Sequence, residues 1–205
     1  MQGNMDKLND MHYEVLREIG NIGVAHAAGA LEKLISKRVG MTVPTVKLLP
    51  FQEIGSILGG DEALVVGILV GISGDVNGIM MFLLKPDAAQ KLVDDMIPGI
   101  AGEDGELSEM GMDALREIGN ILCTSYLNAL SSFTSKQVIP APPVLAMDMA
   151  TAILSVPAIE FGKMADSVLF IDTMFETDSV DASGYFMLVP DFESFGVILG
   201  ALGVM

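Results

Sequence analysis

The sequence predicts a mixed α and β fold, of α+β or α/β class, arranged as a pseudo-twofold: a largely antiparallel sheet covered by helices, two of them long. Three observations carry this expectation. The heptad LREIGNI occurs at residues 16–22 and again at 115–121. Around it, YEVLREIGNIGVAHAAGAL (13–31) lies over MDALREIGNILCTSYLNAL (112–130), and the same offset of 99 pairs Ser36 with Ser135, Lys37 with Lys136, Val39 with Val138 and Pro44 with Pro143. Further on, GIMMFLLKPDAAQKLV around Pro86 and Asp87 resembles GYFMLVPDFESFGVIL around Pro190 and Asp191 at an offset of 104, as one small insertion in the second hairpin would produce. A duplication of about half the chain accounts for all three.

Each half then reads as the same ordered elements. A long helix comes first, over about 8–38 and about 107–134, where Leu16, Ile19 and Ile22 mark the apolar stripe. A strand follows Pro44 and Pro143, because proline ends a turn and suits a strand start better than a helix interior. A short helix is expected at 51–58 and at about 148–160, then a hairpin at 63–85 and 167–189, then a closing helix at 87–97 and 191–202. The first hairpin, LVVGILVGISGDVNGIMMFLL (64–84), is long enough to cross a bilayer, but Ser73, Gly74, Asp75, Asn77 and Gly78 at its middle are turn formers. It therefore predicts two strands, 64–72 and 79–84, and no transmembrane segment. Such continuous apolar strands belong in a sheet covered on both faces. PGIAGEDGE (98–106) has no apolar period and joins the halves, so residues 1–205 are expected to form a single domain of two repeats, about 8–97 and 107–202.

Composition narrows the function. With 51% hydrophobic residues the chain has ample material for a core, and its 11 Lys and Arg against 27 Asp and Glu leave a net charge of −16. That charge repels phosphates and anionic lipid, which excludes nucleic acid and membrane surfaces as partners. One cysteine, Cys123, allows no internal disulfide, and its place among Leu122 and Tyr126 suits a core residue better than a nucleophile. MQGNMDKLNDMHYEV lacks the basic start and apolar run of a signal peptide, so a cytoplasmic protein is expected. The two histidines, His12 and His26, have no metal-ligand spacing, and GISGDVNG fits a hairpin turn rather than a phosphate loop. The 15 methionines suggest an adaptable core, with Met147 and Met149 open to a role on a partner surface.

The heptad itself is chemically suggestive. On a helix, residues three apart share a face, so Glu18 and Asn21 project together, as do Glu117 and Asn120. Gly20 and Gly119 disfavour the helix by about 1 kcal/mol each relative to alanine, which leaves room for another backbone, or another protein, to approach. Solvated decoration is the alternative, but it explains poorly why AHAAG and TSYLN diverged while the polar pair stayed identical.

The spacing of Asp or Ser, three residues, Glu, two residues, Asn, twenty-two residues, Pro resembles the signature of the CheC, CheX and FliY phosphatases of chemotaxis. Asp113, Glu117, Asn120 and Pro143 fit it throughout; Glu18, Asn21 and Pro44 fit it in the first half, where Glu14 replaces Asp or Ser. Two copies and no appended flagellar switch domain are similar to CheC rather than to single-site CheX or longer FliY. The resemblance implies hydrolysis of the aspartyl phosphate of the response regulator CheY, with Mg²⁺ held by the regulator and no cofactor on this chain. It implies that Asn21 and Asn120 orient the attacking water, an amide both accepting from water and donating to a phosphoryl oxygen. Glu18 and Glu117 would pair with the regulator's lysine, general base being the competing role. Asp113 would orient Glu117 or meet the partner, Glu14 less well, while Pro44 and Pro143 support the local fold. CheD, a receptor deamidase, is a second partner implied, with AMDMATAIL (146–154) and Asp148 as a docking helix or simply a capped, buried one. An adaptor that binds CheY or CheD without turnover is the rival reading.

Overall fold

Leu16, Ile19, Gly20, Gly23, Val24, Ala27 and Leu31 recur at helical intervals, and α1 (Asp10–Ile35) buries that stripe. The computed structural model describes residues 10–41, 45–102, 106–161, 167–176, 181–201 and 203. Leu115, Ile118, Gly119, Leu122, Cys123, Tyr126, Leu127 and Leu130 set the same inward stripe on α4 (Glu109–Thr134). Ser108 caps α4, its hydroxyl accepting from Gly111 N at 2.9 Å. Behind each helix a serine turns left-handed, Ser36 at φ 56° and Ser135 at φ 53°, so the repeat extends to an uncommon backbone state.

The remaining elements run β1 (Gly40–Met41), β2 (Thr45–Pro50), α2 (Phe51–Leu58), β3 (Leu64–Gly74), β4 (Gly78–Leu84) and α3 (Pro86–Met96) in the first half. The second half continues with β5 (Val138–Pro140), β6 (Val144–Met149), α5 (Ala150–Phe161), β7 (Ser167–Glu176), β8 (Asp181–Pro190) and α6 (Phe192–Ala201). Every pairing is antiparallel, in the order β1-β7-β8-β4-β3-β5, with β2 also on β7 and β6 also on β3. Each half therefore lends its outer strands to the hairpin of the other. At the centre β4 lies against β8 with Phe82 opposite Phe186, the pair that the offset of 104 makes equivalent, so the pseudo-twofold axis passes between them. Their rings stack at 4.7 Å between centroids.

Side chains alternate along these strands into two cores. Val66, Ile68, Val70, Met80, Phe82, Leu84, Ile171 and Phe186 face α1, α3, α4 and α6. Val65, Leu69, Met81, Leu83, Phe170 and Met187 face α2 and α5. Both faces are covered, as the continuous apolar run of β4 and the nearly continuous one of β3 require. No described helix is long and apolar enough to cross a membrane.

Four expectations change. Short strands β1 and β5 pair with β7 and β3 ahead of each proline position. The insertion is mostly not in the hairpin: Pro50 pairs with Ser167 as Met149 pairs with Leu64, an offset of 103, so four of the five extra residues precede β7, where α5 has 12 residues against 8 in α2. Residues 146–149 are strand, and the helix begins only at Ala150. Ile22 is half-buried rather than buried, because the stripe follows 3.6 residues per turn and turns away from it.

Candidate functional site

The buried stripe fixes what each long helix shows to solvent. Glu14 and Glu18 on α1, and Asp113 and Glu117 on α4, are exposed, while Asn21 and Asn120 are half-buried at the edge of the packed face. The two heptads bury the same positions because they share one register: Leu16, Ile19 and Gly20 sit inward on α1 as Leu115, Ile118 and Gly119 do on α4. Neither Glu18 nor Glu117 makes a hydrogen bond or ion pair with another described residue, so both carboxylates face outward unengaged. Each helix thus offers an acid and, one turn on, an amide.

Gly119 shows which neighbour comes close. A Cβ on Gly119 would stand 2.6 Å from Ile68 Cδ1 and 2.8 Å from its Cγ2, so this glycine brings α4 down onto the chain's own strand β3. Gly20 is likewise buried. Close approach is the purpose, but toward the sheet and not toward a partner. Gly23 does the same between the helices, where a Cβ would meet Tyr126 Cα at 2.8 Å.

Beyond the shared register the two copies differ. Asn120 Oδ1 accepts from Thr124 Oγ1 at 3.5 Å, a long contact one turn along the helix. The residue equivalent to Thr124 is Ala25, and Asn21 Oδ1 is shielded from solvent with no partner. Rotation about the broad terminal torsion of an asparagine brings that oxygen out at small cost. Asp113 neither touches Glu117 nor stands free: its Oδ1 accepts from Arg116 one turn on, whereas Glu14 and Arg17 form no such pair. Arg17 and Arg116, inside the heptad, stand four residues before the asparagines, a same-face spacing that the sequence displays.

Among the other expected residues, Pro143 is half-buried directly ahead of β6, and Pro44 lies outside the described residues. His26 is exposed, and among the described residues no group of three or more His, Cys, Asp or Glu is placed to hold a metal ion. Cys123 is buried in the core, and burial pushes its thiol far above the usual range, which keeps it protonated and unreactive. Asp148 lies in β6, its Oδ1 accepting from Met149 N at 2.7 Å.

Comparison with known proteins matches this geometry to a family twice over. Residues 11–48 and 110–147 each match the CheC-like family, two segments that enclose both heptads at the same offset. The chain is 32% identical over 200 residues to a protein of Bacillus subtilis (strain 168) named CheY-P phosphatase CheC, covering 96% of each. Its fold is similar to that of Thermotoga maritima FliY, with a TM-score of 0.75 at 20% identity over 96% of this chain and 98% of that one. The FliM middle domain of H. pylori shares the fold too, with a TM-score of 0.70 at 10% identity over 97% of this chain and 100% of that one. Likeness across nearly the full length, at an identity that backbone similarity alone does not require, leads to one conclusion: this chain belongs to the CheC-like family.

Proposed function

We propose that this chain is a phosphatase that hydrolyses the aspartyl phosphate of a CheY-type response regulator, using one or both Glu/Asn pairs. The observation that carries this reading is the unengaged Glu and edge-placed Asn at the same register of two helices, in a chain 32% identical to a relative named for that activity. An acyl phosphate is already activated, since its carboxylate is a good leaving group. The helper has to position water in line and tolerate charge in the transition state.

Asn21 and Asn120 suit that task. The amide carbonyl accepts a hydrogen bond from the attacking water while the NH₂ donates to a phosphoryl oxygen, with no charge added. As the water oxygen bonds to phosphorus, the bond from phosphorus to the aspartyl oxygen breaks. Inorganic phosphate and a free aspartate leave, and the surplus water proton passes to the phosphate or the solvent. Glu18 and Glu117 anchor the helix by pairing with a cationic group of the regulator, its active-site lysine, because a carboxylate aimed at a phosphoryl group would be repelled. The Mg²⁺ of the reaction belongs to the regulator.

CheD is the second partner we propose by family resemblance, at the stretch 146–154. There Met147 and Met149 stand exposed on β6, next to Val144. The experiment that tests the main reading is the decay of phosphorylated CheY with Mg²⁺, with and without this chain and its Asn21→Ala, Asn120→Ala double variant. Accelerated decay that disappears in the variant supports the phosphatase. Complex formation without acceleration would instead make the chain an adaptor.

A further inference from the structure

The arginines of the two heptads have no part in the chemistry above, and their surroundings give them one. A net charge of −16 works against association with any anionic surface, and a surface carrying an aspartyl phosphate is strongly anionic. Arg116 is the single cation on α4, and Arg17 is joined on α1 only by Lys33, near the far end. Both stand four residues before the asparagine, so guanidinium and amide follow one another along one ridge. Neither is buried away: Arg17 is exposed, and the Arg116 side chain is 43% exposed.

Asp113 adds a positioning element. Its carboxylate, 73% exposed, accepts from one edge of the Arg116 guanidinium. A guanidinium presents five donors in a flat fork, so one edge held by Asp113 leaves the rest available to an incoming anion. An exposed pair of this kind contributes little to stability, so its effect lies in where it holds the cation. We propose that Arg116, held by Asp113, and Arg17, without such a brace, are the cationic contacts that bind the phosphorylated surface of the partner and bring it onto the adjacent asparagine. This rests on the phosphatase reading for the identity of the partner, but not for its test.

The test is an affinity measurement that does not need turnover. Binding of the chain to CheY charged with beryllofluoride, a stable phosphoryl mimic, is compared with binding to uncharged CheY at low and high salt. The proteins are the parent, Arg17→Ala with Arg116→Ala, and Arg116→Lys with Arg17→Lys. Losing the one charge-assisted contact that each site offers should weaken binding to the charged partner by about 10- to 100-fold and change its salt dependence, with the lysine variant in between. Affinity for the uncharged partner should hardly change, and the thermal midpoint should stay put, since both arginines are at the surface. Unchanged affinity, or equal weakening toward charged and uncharged partner, would overturn the proposal, as would failure of the parent to prefer the charged form. If the arginine variants bind poorly while the parent binds well but never speeds phosphate release, the phosphatase reading fails and this one stands. If release is asparagine-dependent and the arginine variants keep the parent's affinity, the reverse holds.

Discussion

Gly119 sits on Ile68. The Ile68 side chain fills the space between α4 and β3 at that point, and a Cβ on Gly119 would be 3.1 Å from Ile68 Cβ, deep in the branched part of the isoleucine where it cannot swing aside. The turn that carries Glu117 and Asn120 is held to the sheet by this contact, which makes the outward aim of the acid and amide a property of the core.

Gly119→Ala is therefore expected to destabilise despite the better helix propensity of alanine. Overpacking of this kind costs about 1–3 kcal/mol, against a propensity gain of about 1 kcal/mol. Gly23→Ala should behave similarly, because the clash is with the backbone of Tyr126. Urea unfolding measures both; stability equal to or above the parent would show that the helices shift without strain. An alanine at Gly29, where a Cβ meets nothing within 4 Å, is the control and should not destabilise.

The two sites should respond differently to single substitutions. Asn120 has a hydroxyl at Thr124 within reach, and Asn21 has none. Thr124→Val, which keeps the shape and removes the hydroxyl, is expected to slow phosphate release in an Asn21→Ala background by a few-fold and leave it unchanged in an Asn120→Ala background. Equal slowing in both would point to a general structural effect.

Asp113→Ala removes the brace on Arg116 without touching the core. Its effect on stability should fall within about 0.5 kcal/mol, as for other exposed pairs. In an Asn21→Ala background, KM for the phosphorylated regulator should rise several-fold with kcat little changed. A fall in kcat at constant KM would assign Asp113 to the chemistry instead.

Alkaline pH should unfold the protein through Tyr126 and Cys123. Burial raises the pKa of both groups, from ordinary values of 10.0 and 9.0, because the core disfavours their anions. The unfolded chain then loses these protons first, so these two groups leave stability unchanged below about pH 8 and lower it as pH rises past about 9. Tyr126→Phe should blunt that fall. Since the Tyr126 hydroxyl is buried without a hydrogen-bond partner, the same variant should be neutral or stabilising by up to about 2 kcal/mol at pH 7. Chemical denaturation at a series of pH values tests both, and a loss of stability at pH 7 would mean the hydroxyl is satisfied.

Removing the cap on α4 is the simplest test of its local design. Ser108→Ala leaves Gly111 N without its acceptor and Ile100 O without the serine donor, and should cost about 1 kcal/mol in urea unfolding. No change would show that water replaces both bonds.

The duplication, the helices, the hairpins and the Glu/Asn pairs were legible in the chain because each depends on spacing. A helical period sets which residues turn outward, and an offset of 99 sets which are equivalent. Three matters were decided only in three dimensions. Whether β2 pairs with its own half or with β7 depends on contacts between residues more than a hundred positions apart, which no local pattern records. Gly119 announced a close neighbour, but only packing showed that neighbour to be Ile68 rather than another protein. Asp113 carried a place in the motif, yet its partner was settled by which side chain could reach it one turn along, Arg116 and not Glu117. Sequence determines which groups a helix displays, through a period of 3.6 residues; tertiary packing decides what each group meets, because that is set by distance and excluded volume between distant parts of the chain.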